Sequence, residues 1–180
     1  MTRIAYVTPT QMSESARELT LERGNLNVYR ALANAKNMFT GWMVAGRSAL
    51  VSSVVSPRLR ELVILRTAYL MESLYEIGQH TTAASRADVS PREIAGLGSA
   101  WQTSTDVFGG VELSVLRLTT ELVTTKGVTG ALFDEVHNAL GSQATVEVLM
   151  LINRWSGLAL MLNALDVDLD TNARISIPRA

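Results

Sequence analysis

The sequence predicts an all-α fold, and two observations carry that expectation. Apolar residues recur at spacings of three and four rather than two, which is the period of a helix and not of a strand. The chain has only four prolines, and two of them directly follow a serine, the arrangement that opens a helix.

Taken in order, residues 1 to about 12 read as irregular, and from there to about Ser53 two or three helices are expected, broken near Gly24 and at Gly41. Ser56-Pro57 places a capping hydroxyl before a proline at the first helical position and predicts a helix to Leu70. Ser73-Leu74-Tyr75-Glu76 has the spacing of a capping box and starts the next helix, to about Arg86. Ser90-Pro91-Arg92-Glu93 repeats the device and opens a helix toward Trp101. A loop over Gln102 to Gly110 follows, then helices at about 112 to 125, 130 to 140 and 143 to 165, with Gly127 and Gly141 as stops. The tail from Asp166 to Ala180 is expected to be extended or mobile.

At 180 residues the length fits one domain over 1–180 with a single core. Hydrophobic residues make up 47% and charged residues 18%, so part of the apolar surplus is expected to be buried between subunits. Sixteen basic residues against seventeen acidic ones, with no basic block, remove the electrostatic footprint of a nucleic-acid binder. The apolar stretch Val146 to Leu165 is interrupted by Glu147, Asn153 and Arg154, which reads as a core or interface helix rather than a membrane span. No signal-peptide pattern opens the chain, and a cytoplasmic location is the expectation. The chain has no cysteine, so it has no disulfide, no thiolate ligand and no thiol nucleophile.

The stretch Arg58 to His80 gathers ionisable residues inside apolar helix: Arg58, Arg60, Glu61, Arg66, Glu72, Glu76 and His80, with Tyr69 and Tyr75 between them. On one straight helix the nineteen residues from Glu61 to His80 would separate the two by about 28 Å. If the chain turns near Met71 to Ser73, the two helices run antiparallel and Glu61 comes level with His80. Glu76 and His80, four apart, then share a helix face, and the candidate catalytic set is His80, Glu76, Glu61 and Tyr75. The plainer readings are specific too. Glu76 would serve only as the far half of the capping box, His137 would be structural, Arg58, Arg60 and Arg66 would be surface or interface ion-pair residues with Arg66 alone able to face a pocket, and Tyr75 would merely pack. One histidine with two or three carboxylates is also a conceivable divalent-ion site, but no paired-histidine spacing supports zinc.

The string SPRLRELVILRTAYLMESLYEIGQHTTAASRADVSPREIAGL resembles the core motif of the carboxymuconolactone decarboxylase-like and alkyl hydroperoxidase D-like superfamily. In the peroxidase branch, a glutamate is followed by two cysteines and a histidine at fixed spacing. Here Glu61 and His80 match the ends, while Ser73 and Glu76 stand at the cysteine positions, as in the cysteine-free members. The resemblance extends to Asn27 through Asn34 and to Leu162 through Leu165, and departs at Arg154-Trp155, where a more neutral stretch is expected. It implies a helical bundle of the alkyl hydroperoxidase D type with a central antiparallel hairpin, a site with no cofactor and no metal, and a homo-oligomer, either a trimer or a hexamer built from trimers.

From residues and resemblance together, the expected activity is that of a cofactor-independent lyase or isomerase. It would act by proton transfer on a small lactone-like or enolisable acid, decarboxylation included, with a small molecule as its partner, no nucleic acid and no membrane. His80 would be general acid or base, Glu76 would set its protonation, Glu61 would orient it, and Tyr75 would donate to a developing enolate. Thiol peroxidase chemistry is excluded. The alternative is a non-catalytic small-ligand binding or oligomeric scaffold protein of the same fold, and a buried carboxylate partner for His80 together with a pocket beside it would separate the two.

Overall fold

Residue periodicity becomes eight α-helices and no strand among the described residues, which are 2–98 and 107–171 of a computed structural model. A short 3-10 turn at Pro9–Gln11 precedes α1 (Glu14–Glu22), α2 (Asn27–Leu32), α3 (Lys36–Leu50), α4 (Pro57–Leu70), α5 (Leu74–Arg86), α6 (Pro91–Gly98), α7 (Gly110–Thr125) and α8 (Gly130–Leu165).

Helix α4 is the axis. Its residues Leu62, Val63, Ile64 and Leu65 are wholly buried, and it packs against α5, α6, α7 and α8, as a helix that is apolar all round must. Two core clusters meet on it: Leu59, Val63 and Ile64 face α7 and α8, while Leu62 and Leu65 face α5, α6 and Phe108. Ser56 Oγ accepts the Leu59 N–H at 3.2 Å and so starts the helix as the sequence predicts. Ser90 and Glu93 form their reciprocal capping box at the start of α6 (2.7 and 3.3 Å).

Between α4 and α5 the chain turns at 71–73, with Glu72 in the left-handed region (φ 52°), and α5 returns antiparallel along α4. The second capping box is not formed. Ser73 makes no side-chain cap bond, its Oγ is buried without a partner, and its N–H goes to the Ala68 carbonyl at 3.0 Å rather than to Glu76. The α4 chain end itself supplies the acceptor, which frees the Glu76 carboxylate for another task.

Two further expectations are corrected. Gly41 does not break a helix: it lies inside α3 with open space where a side chain would stand. The break falls at 33–35 instead, where Asn34 Nδ2 donates to the carbonyls of Ala5 and Ala31 at 3.0 Å each. Helix α7 ends on Lys126 in the left-handed region (φ 68°) rather than on Gly127. The expected stop at Gly141 is present as a kink (φ 76°, ψ 169°) that divides α8 into two helical segments. The loop expected over Gln102 to Gly110 lies outside the described residues as far as 106, as do Trp101 and the tail from 172 onward. Residues 166–171 are not helical but are docked: Asp168 accepts from the Thr2 N–H and the Tyr6 hydroxyl, at 3.2 and 3.0 Å.

By length and composition alone α8 could cross a membrane. Val148, Leu151, Ile152, Trp155 and Leu162 on it are nonetheless buried inside the protein, which is the face of a core helix.

Candidate functional site

The hairpin brings Glu61 of α4 opposite His80 of α5, with 2.7 Å between Glu61 Oε2 and His80 Nδ1. Glu61 and Glu76 side chains are each 4% exposed and His80 14%, so the three groups sit behind apolar packing rather than in bulk water. One turn before His80, Glu76 Oε2 lies 3.5 Å from Nε2. The i, i+4 spacing on α5 and the register of the hairpin thus place a carboxylate at each imidazole nitrogen. Arg60 Nε lies 3.5 Å from the other oxygen of Glu61.

Trp155 of α8 completes the site. Its indole N–H donates to His80 Nε2 at 3.0 Å, and the two rings meet edge to face with centroids 5.6 Å apart. An indole N–H is only a donor, so in this state Nε2 carries the lone pair and Nδ1 carries the proton that Glu61 accepts. Neutral His80 is therefore held in one tautomer from both sides.

Burial pushes the His80 pKa down, but the charge and hydrogen bond of Glu61 and the charge of Glu76 outweigh it, leaving the imidazole above its ordinary value. Burial pushes the Glu76 carboxyl up, and His80, Trp155 and Arg154 only partly counter that shift. The two groups stand 3.5 Å apart and share one environment. A proton added to either group is stabilised by the other, so the two titrate as a pair, which suits them to general acid–base work.

His80, Glu76 and Tyr75 line a cavity of about 80 Å3 between α3, α5 and α8, together with Trp42, Arg154 and Trp155. That volume takes a ligand of a few heavy atoms. Tyr75 is not poised as the sequence suggests. Its phenol accepts the Val28 N–H at 3.1 Å and donates to the Asp170 carboxylate, burial followed by Asp170 pushes its pKa well up, and the hydroxyl has no proton left to offer an enolate. Asp170 also accepts from the Asn27 N–H at 3.0 Å and from Gln79 Nε2 at 3.2 Å, so the docked tail holds Tyr75 and Gln79, two of the residues that line the cavity.

The arginines divide. Arg58 bonds Glu93, and Glu112 at 2.8 Å, tying α4 to α6 and α7, an ion-pair role as expected. Arg66 is buried instead, donating to Thr120 Oγ1 at 3.0 Å and the Leu97 carbonyl at 2.6 Å, and does not line the cavity. Burial lowers its pKa to about 10. His137 stacks on Phe133 and reaches Ser142 Oγ at 3.0 Å, bridging the α8 kink. Among the described residues no three His, Asp or Glu side chains are grouped to hold a metal ion, and each His80 nitrogen is turned to a protein partner. Arg154 and Trp155 are the site residues that sequence reasoning left without a role. The signal was there as a charge and an indole inside the most apolar stretch of the chain.

No curated protein matches this sequence. Among solved structures, the alkylhydroperoxidase AhpD core of an uncharacterized peroxidase-related protein from Ralstonia eutropha JMP134 superposes with a TM-score of 0.82 at 14% identity, covering 94% of this chain and 93% of the other. A cysteine-to-alanine variant of the debrominase Bmp8, in complex with 2,3,4-tribromopyrrole, gives 0.75 at 14% identity, covering 96% and 95%. At that identity the likeness is one of fold. Residues 38–121, from α3 through most of α7, match the carboxymuconolactone decarboxylase family. That segment contains Glu61, Glu76 and His80, so this cysteine-free chain is similar to that family over the stretch that carries its candidate site, and it shares its fold with the two solved structures.

Proposed function

We propose that the protein is a cofactor-independent lyase or isomerase that moves a proton on a small enolisable or lactone-like acid, with decarboxylation among the reactions open to it. The observation that carries this reading is the histidine with a buried carboxylate at each nitrogen beside a small cavity. His80 and Glu76 would take and return the proton. Glu61 would hold the ring through Nδ1 and stabilise the imidazolium. The family includes decarboxylases, peroxidase-related proteins and debrominases, so the fold alone selects no reaction. A scaffold role needs neither a partnered imidazole nor a cavity beside it, and the site geometry favours catalysis.

The test is carbon-bound proton exchange in D2O with a small 2-oxo acid, 2-oxobutanoate, and chelator-treated protein. Exchange at the carbon beside the ketone, faster than in buffer and saturating with acid concentration, is the expected result. Exchange at the buffer rate would contradict the reading.

A further inference from the structure

The cavity has an uneven charge balance. Arg23, Arg47 and Arg154 line it against a single carboxylate, Glu76, and Arg47 is answered outside by Glu22 at 3.4 Å. Arg154 projects from α8 into the gap beside α3, where Nη2 donates to the Trp42 carbonyl at 3.0 Å. Its guanidinium lies over the Trp42 ring, 4.1 Å from the centroid. The space it occupies exists because residue 46 is glycine: a Cβ there would lie 2.2 Å from Nη2 and 2.7 Å from Cζ.

A guanidinium carries five N–H donors, and the carbonyl of Trp42 is one acceptor. Burial lowers the Arg154 pKa against the opposing pull of Tyr29 and Glu76, so the cation is partly stripped of water without an ion-pair partner among the described residues. Such a group is costly unless an anion completes it. Trp155 spans the distance to the proton-transfer groups: its ring centroid is 5.9 Å from the Arg154 carbon and 5.6 Å from the His80 ring.

We propose that Arg154, cradled by Gly46 and Trp42, is the carboxylate-binding residue of this cavity, and that it selects small monocarboxylic acids. The ligand's carboxylate docks on the guanidinium and its reacting carbon, one or two bonds away, faces Nε2 of His80 and Glu76. The assignment rests on the proton-transfer reading of the same site but concerns binding, and it falls separately. It also accounts for the presence of a charged residue beside an indole, Arg154-Trp155, within an apolar helix.

The test measures binding, by quenching of indole fluorescence, of 2-oxobutanoate and of its neutral amide, which has the same shape. Wild type is expected to bind the acid at least about tenfold more tightly than the amide, a charge-assisted pair being worth that factor or more. Arg154→Gln should abolish the difference by weakening the acid alone. Gly46→Ala, which pushes the flexible guanidinium aside without touching the core, should weaken the acid while the melting temperature stays near wild type. Equal binding of acid and amide by wild type overturns the proposal and needs no variant. Undiminished acid binding by folded Arg154→Gln overturns it as well. Selective acid binding without proton exchange would support Arg154 as the carboxylate site and sink the proton-transfer reading instead.

Discussion

At the scale of single residues, the chemistry follows from where protons are held. A histidine alone on an apolar helix would lose its proton to burial. Here Glu61 at 2.7 Å and Glu76 at 3.5 Å reverse that tendency. The consequence for stability can be signed. A raised His80 pKa stabilises the fold fully below its unfolded value near 6.5, and this is lost as pH rises through the folded value. A raised Glu76 pKa acts in the same sense, fully present below about 4.5 and lost as pH rises through its folded value. Glu93 opposes them at the acid end: burial raises its pKa, but Arg58 and Ser90 hold it at about 2, so its contribution is present above about 4.5 and lost below. The melting temperature is therefore expected to fall as pH is raised from about 5 to about 8, and Glu76→Gln should flatten that slope by removing one of the two groups. A melting temperature that rises across the interval would contradict the assignment of these shifts. Glu61, Glu76 and His80 are legible in the sequence because spacing and a hairpin suffice to gather them. Trp155 is not, since its N–H reaches His80 only through the packing of α8 across 75 residues of chain. Tyr75 illustrates the converse, its hydroxyl claimed by Asp170 of a tail that no local pattern connects to it.

At the scale of elements, the starts of α4 and α6 are readable because a serine cap acts on amides two or three residues away. The break at 33–35 depends on Asn34 finding the Ala5 carbonyl, a tertiary contact with no local signature, and a glycine such as Gly41 ends no helix when its neighbours pack. Gly141 is different. Its φ of 76° and ψ of 169° lie in a region open in practice to glycine alone, and the kink lets Val136 on one side and Ala144 and Val148 on the other reach the same core cluster. Gly141→Ala is expected to cost about 1–3 kcal/mol, read as a lowered melting temperature, while Gly41→Ala, inside a helix with open space, should be neutral or slightly stabilising. Equal effects at both positions would show that the kink carries no strain.

At the scale of the whole molecule, the apolar surplus seen in composition reappears as a patch. Val51, Val54, Val146 and Met150 are exposed, Val51 by 69% and Met150 by 65%, on neighbouring surfaces of α8 and the segment after α3, where Ser52 bonds Glu147. We expect this surface to be covered in a homo-oligomer. Light scattering at micromolar concentration should return a multiple of 19.6 kDa, and Met150→Lys should lower it. A monomeric mass for the wild type would contradict the expectation. The overall architecture was the most legible property of this sequence, because helical period and caps are repeated along the whole chain. The cavity beside His80 was the least, because it is assembled from residues of α3, α5 and α8 that lie far apart in the chain.

The central claim is that His80 moves the proton, with Glu76 sharing it. The most direct measurement is deuterium exchange from D2O into 2-oxobutanoate for wild type, His80→Gln and Glu76→Gln, each with its melting temperature. Both variants should remain folded. His80→Gln should lower the exchange rate by about a hundredfold or more, the usual size of a lost general acid or base, and Glu76→Gln should lower it by less. Exchange at the wild-type rate in folded His80→Gln would contradict the account.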